Sequence, residues 1–143
     1  MKRIHIAALV GCALIWAGCG SVQPSGHYGV AAGDDSSIRR AFKTRTSNVQ
    51  VEGEGVVTRT LTDDLAGSRH QRFVVRLASG QTILIAHNID IAPRVNGLRK
   101  GDSVRFNGEY IWNKDGGMVH WTHHDPEGRH AAGWLKHNGR TYQ

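Results

Sequence analysis

"HQRFVVRLASGQTILIAHN", His70 to Asn88, is the stretch that decides the fold of this chain. It holds two runs rich in β-branched and aromatic residues on either side of Ala78-Ser79-Gly80. Such runs suit pleated, half-buried strands, and Gly80 supplies the left-handed residue of a three-residue hairpin loop. That loop length sets Leu77 against Gln81, Val75 against Ile83, Phe73 against Ile85 and Gln71 against His87. Phe73, Val75, Leu77, Ile83 and Ile85 then share one face, as a core requires, and a slip of one residue would turn them all outward. The same register places His70 beside Asn88.

The pattern continues on both sides. "VQVEGEGVVTRTL" (49–61) reads as a preceding strand, with Gly53 and Gly55 allowing the bend of a closed barrel. "DIAPRVNGL" (90–98) reads as a brief helix: Asp90 caps it, Pro93 is tolerated in its first turn, and Asn96-Gly97 stops it. "DSVRFNGEYIWN" (102–113) is a fourth strand with Val104, Phe106, Tyr110 and Trp112 on one face, and "MVHWTHH" (118–124) is a fifth. Three strands, a short helix and two strands is the order of the OB-fold, a small five-stranded barrel. The predicted class is therefore mainly β, with an SH3-like or other small barrel as the alternative. Upstream, "SSIRRAFKTRTSN" (36–48) reads as a short N-terminal helix capped by Ser36 or Ser37, with Ile38, Ala41 and Phe42 on one face. Its Arg39, Arg40, Lys43 and Arg45 suit either phosphate groups or plain solvation.

An OB barrel runs its fifth strand parallel to its third, so the far ends of "ILIAHNID" and "MVHWTHHD" should meet. His70, Gln71, His87, Asn88, Asp90, His123, His124 and Asp125 would gather at one barrel end, with Asp63, Asp64 and Arg69 of the "TDDLAGSR" loop. Four of the nine histidines fall between His120 and His130. On a regular strand His120 and His123 face opposite sides; if Val119 points inward, so does His123, toward His87. Imidazole is a good zinc ligand, and a catalytic zinc uses three protein ligands. His87, His123 and one of His120, His124 or Asp125 are candidates for that set, and His70, Gln71, Asn88, Asp90, Arg69, Asp63 and Asp64 for ligand contacts. The alternative is that His87 and His123 hydrogen-bond inside a polar barrel end while the others are solvated. No phosphate-binding glycine loop or serine-nucleophile motif is present.

The first residues read as an export segment, 1–18. Lys2 and Arg3 precede a run from Ile4 to Trp16 that is too short to span a bilayer. "WAGC" is read as a lipidation site at Cys19, with ordinary signal-peptide cleavage as the alternative. Residues 19–35 are rich in Gly and Ser and read as a tether; 36–143 form the domain. Both cysteines, Cys12 and Cys19, lie in the leader region, so no disulfide is expected. Without Lys2 and Arg3 the formal net charge falls from +6 to +4, which is mildly basic.

"GEGVV", "DDLAGSRHQRF", "IAHNIDIAPR", "GGMVHWTHHDP" and "GWLKHNGRTY" together resemble a family of short exported bacterial proteins, DUF3465, that share a His-Trp-Thr-His motif, here His120 to His123. The resemblance runs from Gly53 to about Tyr142 and implies a bacterial envelope protein on the periplasmic side; it implies no activity. Three readings follow. One is a lipid-anchored binding module for a small molecule, nucleic acid or saccharide. Another is a metal-dependent hydrolase, acting on a phosphoester and using zinc or a similar ion. The last is a structural envelope protein.

Overall fold

The computed structural model describes residues 34–143; the residues read as an export segment, Cys19 and most of those read as a tether lie outside that range. One helix, α1 (Ser36–Thr44), precedes seven strands: β1 (Val49–Thr60), β2 (His70–Leu77), β3 (Thr82–Asn88), β4 (Ser103–Ile111), β5 (Met118–His120), β6 (Trp134–His137) and β7 (Arg140–Tyr142). Their order is β1-β2-β3-β5-β4, and β4 pairs back onto β1 to close a five-stranded barrel. The chain is mainly β, as predicted, and β5 runs parallel to β3.

The hairpin register is the one read from the sequence. Val75 pairs with Ile83, Phe73 with Ile85, Gln71 with His87 and His70 with Asn88. Gly80 takes φ 87°, the left-handed residue that the loop needs. Phe73, Val75 and Ile85 are fully buried and meet Val104, Phe106 and Tyr110 from β4 across the barrel. β1 serves two neighbours, β4 from Val49 to Val56 and β2 from Gly55 onward, and its register with β2 shifts between Val57 and Arg59. At Gly53 a side chain would strike Phe106 (2.6 Å) and Ile38 (2.9 Å). The glycine thus lets α1 insert Ile38 into the core.

α1 buries Ile38 and Ala41, the face foreseen. Its start is set differently: neither serine caps it, and Asp34 accepts the Ser36 N–H while Asp35 accepts the Ser79 N–H across the barrel at 3.0 Å. The Trp112 indole donates to the Phe42 carbonyl at 3.2 Å. α1 therefore closes the end of the barrel marked by the loops 78–80 and 112–117.

Two expectations need correction, and one element is additional. No helix links β3 to β4; residues 89–101 form turns. The backbone groups that a helix would use are bound by barrel side chains instead. Gln71 grips Val95 with both ends of its amide (2.9 and 3.0 Å), and His87 bonds the Pro93 carbonyl. Asp90, expected as a cap, accepts the backbone and side-chain N–H groups of Arg69. Next, β5 stops at His120 rather than 124, because Trp121 adopts φ 51°, a conformation that breaks strand pairing. Finally, a C-terminal hairpin, β6–β7, covers the part of β4 that β5 leaves free, pairing Phe106 with Leu135.

Candidate functional site

The turn at Trp121 builds the site. On a continued strand His120 and His123 would face apart; after the turn, both line one cavity of about 250 Å³ with Ser68, His70, Asn88 and Trp121. A second cavity of about 270 Å³ shares His70 and His120 and continues over Asp64, Arg72, Leu84, Ala86 and Met118. Together they form a groove along the outer faces of β2, β3 and β5. A left-handed tryptophan is an uncommon and costly backbone state that persists only where its surroundings hold it. Here Trp121 lies among imidazoles, with ring centres 4.0 Å from His130, 5.2 Å from His120 and 5.7 Å from His123.

Each cavity histidine has one nitrogen committed. His70 Nδ1–H donates to the Ser68 carbonyl at 2.7 Å, His123 Nδ1–H to the His124 carbonyl at 2.9 Å, and His120 Nε2–H to Glu109 at 3.2 Å. A carbonyl or carboxylate only accepts, so these bonds fix the tautomer of each neutral ring. The remaining nitrogens, Nε2 of His70 and His123 and Nδ1 of His120, carry lone pairs and have no protein partner among the described residues. Burial lowers the pKa of His123, which keeps its ring neutral at physiological pH.

His87 is not in the cavity. It is completely buried, bonding Thr122 Oγ1 at 2.8 Å through Nδ1 and the Pro93 carbonyl at 3.1 Å through Nε2. Burial pushes its pKa down to about 4, so the neutral ring donates to Pro93 and accepts from Thr122, and both nitrogens are in use. Asp125 is equally committed, accepting the backbone N–H groups of Glu127, Arg129 and His130. Burial alone would raise its pKa; these three donors outweigh that and lower it. The His130 ring is nearly buried, and its Nε2 lies 3.7 Å from Asp125. That nitrogen is the one buried side-chain nitrogen or oxygen among the described residues with no hydrogen bond. His124 is exposed.

The loop carboxylates are taken up in ion pairs. Asp63 pairs with Arg94, Asp64 with Arg72 at 3.6 Å, and Asp90 with Arg69 at 2.5 Å. Asp64 also accepts the Ala66 N–H, which shapes the loop. Gln71 holds the 89–101 segment. Of the residues singled out in the sequence, the structure thus brings His70, Asn88, His120 and His123 together at the cavity, sets Asp64 on the adjoining groove, leaves His124 exposed and uses the others as supports. Among the described residues no three His, Cys, Asp or Glu groups surround a point that could hold a metal ion. Sequence reasoning missed Ser68, Glu109, Thr122 and the central position of Trp121. The His-Trp-Thr-His string was the only signal for Trp121 and Thr122, and it did not reach Ser68 or Glu109.

No curated protein and no solved structure matches the chain. Residues 23–143 match the family described as "Protein of unknown function (DUF3465)", and the chain belongs to that family.

Proposed function

We propose that this protein is an exported, lipid-anchored binding module whose His70–His120–His123–Trp121 cleft takes a hydroxyl-rich ligand of the saccharide class. One observation carries the reading: three tautomer-fixed imidazoles offer acceptor lone pairs beside an indole. Sugar hydroxyls donate to such nitrogens, and the apolar face of a sugar ring packs on an aromatic one. The adjoining groove over Leu84 and Met118 gives room for a second unit. The open, mixed polar and apolar floor on β2 and β3 suits an OB-like barrel.

The same lone pairs favour a second reading, a transition-metal cation and with it the metal-dependent hydrolase. Carbonyl and carboxylate partners on the far nitrogen are what metal-binding histidines have. That reading requires the three rings to draw together.

Calorimetric titration of the chain from Gly20 onward with envelope oligosaccharides, and separately with Zn²⁺ or Cu²⁺, tests both. Trp121→Ala is expected to weaken saccharide binding about 10-fold, and His70→Ala or His120→Ala about 2- to 10-fold each. Affinity should fall as acid protonates His123, whose lowered pKa puts that loss below the ordinary histidine value, because protonation replaces its acceptor nitrogen with a donor. Affinity that rises on acidification would mean an anionic ligand and would overturn the proposal. Stoichiometric metal binding lost in the histidine variants, without saccharide binding, would put the metal reading in its place.

A further inference from the structure

We propose that the outward face of α1 seats the domain on an anionic lipid surface, leaving the histidine cleft turned away from the membrane. α1 buries Ile38 and Ala41. At about 100° per residue, Arg39, Arg40 and Lys43 occupy an arc of roughly 100° on the opposite side. All three are exposed, and among the described residues none forms an ion pair. Of the other described arginines, Arg69, Arg72, Arg94, Arg105 and Arg129 have a carboxylate partner and Arg45, Arg59, Arg76, Arg99 and Arg140 have none; what sets α1 apart is that three unpaired cations share one helix face. The helix has no acidic residue in its first turn; the Asp34 carboxylate before it is bonded to the Ser36 N–H and feels the charges of Arg39 and Arg40 without forming an ion pair with either. Arg39 and Lys43 are four apart, Arg40 and Lys43 three apart; like charges at these spacings destabilise a helix. A solvated surface helix ordinarily relieves such pairs with Glu or Asp. This one keeps them, which an anionic surface would convert from a cost into an attraction.

Position agrees with charge. α1 closes the barrel end formed by loops 78–80 and 112–117, through Asp35–Ser79 and Phe42–Trp112. The cleft residues Ser68, His70, Asn88 and His123 lie at the other ends of β2, β3 and β5. A lipid on Cys19 reaches the domain through the residues leading into α1, so the expected anchor and the basic face address the same surface. A basic face beside a lipid anchor adds electrostatic attraction to the hydrophobic one and orients the domain. The seat itself does not depend on the ligand of the cleft.

The test is co-sedimentation of the unlipidated chain from Gly20 onward with phosphatidylcholine vesicles, with and without phosphatidylglycerol. Binding is expected only to the anionic vesicles and should be abolished near 1 M salt, where the Debye length is ~3 Å. Each basic residue near such a surface contributes about 5-fold in partitioning, so R39Q/R40Q/K43Q should bind about 100-fold more weakly. Its melting temperature should be unchanged or slightly raised. R99Q/K100Q, which removes two exposed cations outside α1, should bind like the parent. Absence of anionic-vesicle binding, or equal loss in both variants, overturns the proposal. So does single-stranded DNA binding as tight as vesicle binding and lost in the same triple variant, which would make the face a nucleic-acid site.

Discussion

His87→Ala is expected to lower the melting temperature by about 15 °C or more, with or without chelator. The substitution empties a fully buried site and strands two polar groups, the Thr122 hydroxyl and the Pro93 carbonyl. Loss of a large buried side chain with unmet hydrogen bonds costs about 3–5 kcal/mol, and each kcal/mol moves a domain of this size by about 4–8 °C. The same residue predicts acid sensitivity. Its folded pKa, about 4, lies below the ordinary 6.5, so between those values the unfolded chain takes up a proton that the folded chain does not. Stability from His87 is therefore full above pH 6.5 and falls as pH drops toward 4, by roughly 3 kcal/mol in all. Burial lowers His123 as well, adding in the same direction. The carboxylates Asp90, Asp102 and Asp125 have lowered pKa values, so their contribution holds above pH 3.8 and is lost below it. Thermal melts from pH 7 to pH 4 should show the decline in the parent and a much flatter profile in His87→Ala. A chelator that lowers the parent's melt as far as the substitution does would make His87 a metal ligand instead.

Gly133→Ala should be comparably damaging, and for the cleft more so. A methyl group there would lie 2.0 Å from the Trp121 carbonyl oxygen, 2.6 Å from that of Asn107 and 3.0 Å from the Thr122 Cα. All three are backbone atoms, which cannot move aside as a side-chain tip can. Gly133 also donates its N–H to the His123 carbonyl at 2.9 Å. The segment 121–133 can thus lie against β4 only if position 133 has no side chain. Forced overpacking costs about 1–3 kcal/mol, occasionally more, and here relief comes only by lifting Trp121 and His123 from their places. The expected result is a melt lowered by at least 8 °C, altered tryptophan fluorescence and loss of ligand binding. Gly128→Ala is the control. That glycine has φ 65° but open space around it, so the cost is only left-handed strain, about 1–2 kcal/mol, with the cleft intact. Equal effects of the two substitutions would refute the packing argument.

Both predictions rest on features that differ in how far the sequence revealed them. The β2–β3 register was readable because strand alternation has a period of two and only one pairing buries Phe73, Val75 and Ile85 together. That register, with the parallel β3–β5 pairing of the barrel, brought His70, Asn88 and His123 to one end. The C-terminal hairpin escaped notice because β6 and β7 have four and three residues, too few for alternation to register. The 89–101 segment was misread because capping signals are local, whereas the groups that claimed its backbone, Gln71 and His87, come from other strands.

The sequence by itself determined the barrel, its core face and the convergence of histidines, because burial patterns repeat along the chain. Which histidines face a cleft and which serve the core was decided only in three dimensions. His87 spends both nitrogens inside the protein, while the left-handed turn at Trp121 carries His120 and His123 onto the same wall. A hydrogen-bond partner across the barrel and one backbone angle leave no period in the sequence, and those two facts separate support from site.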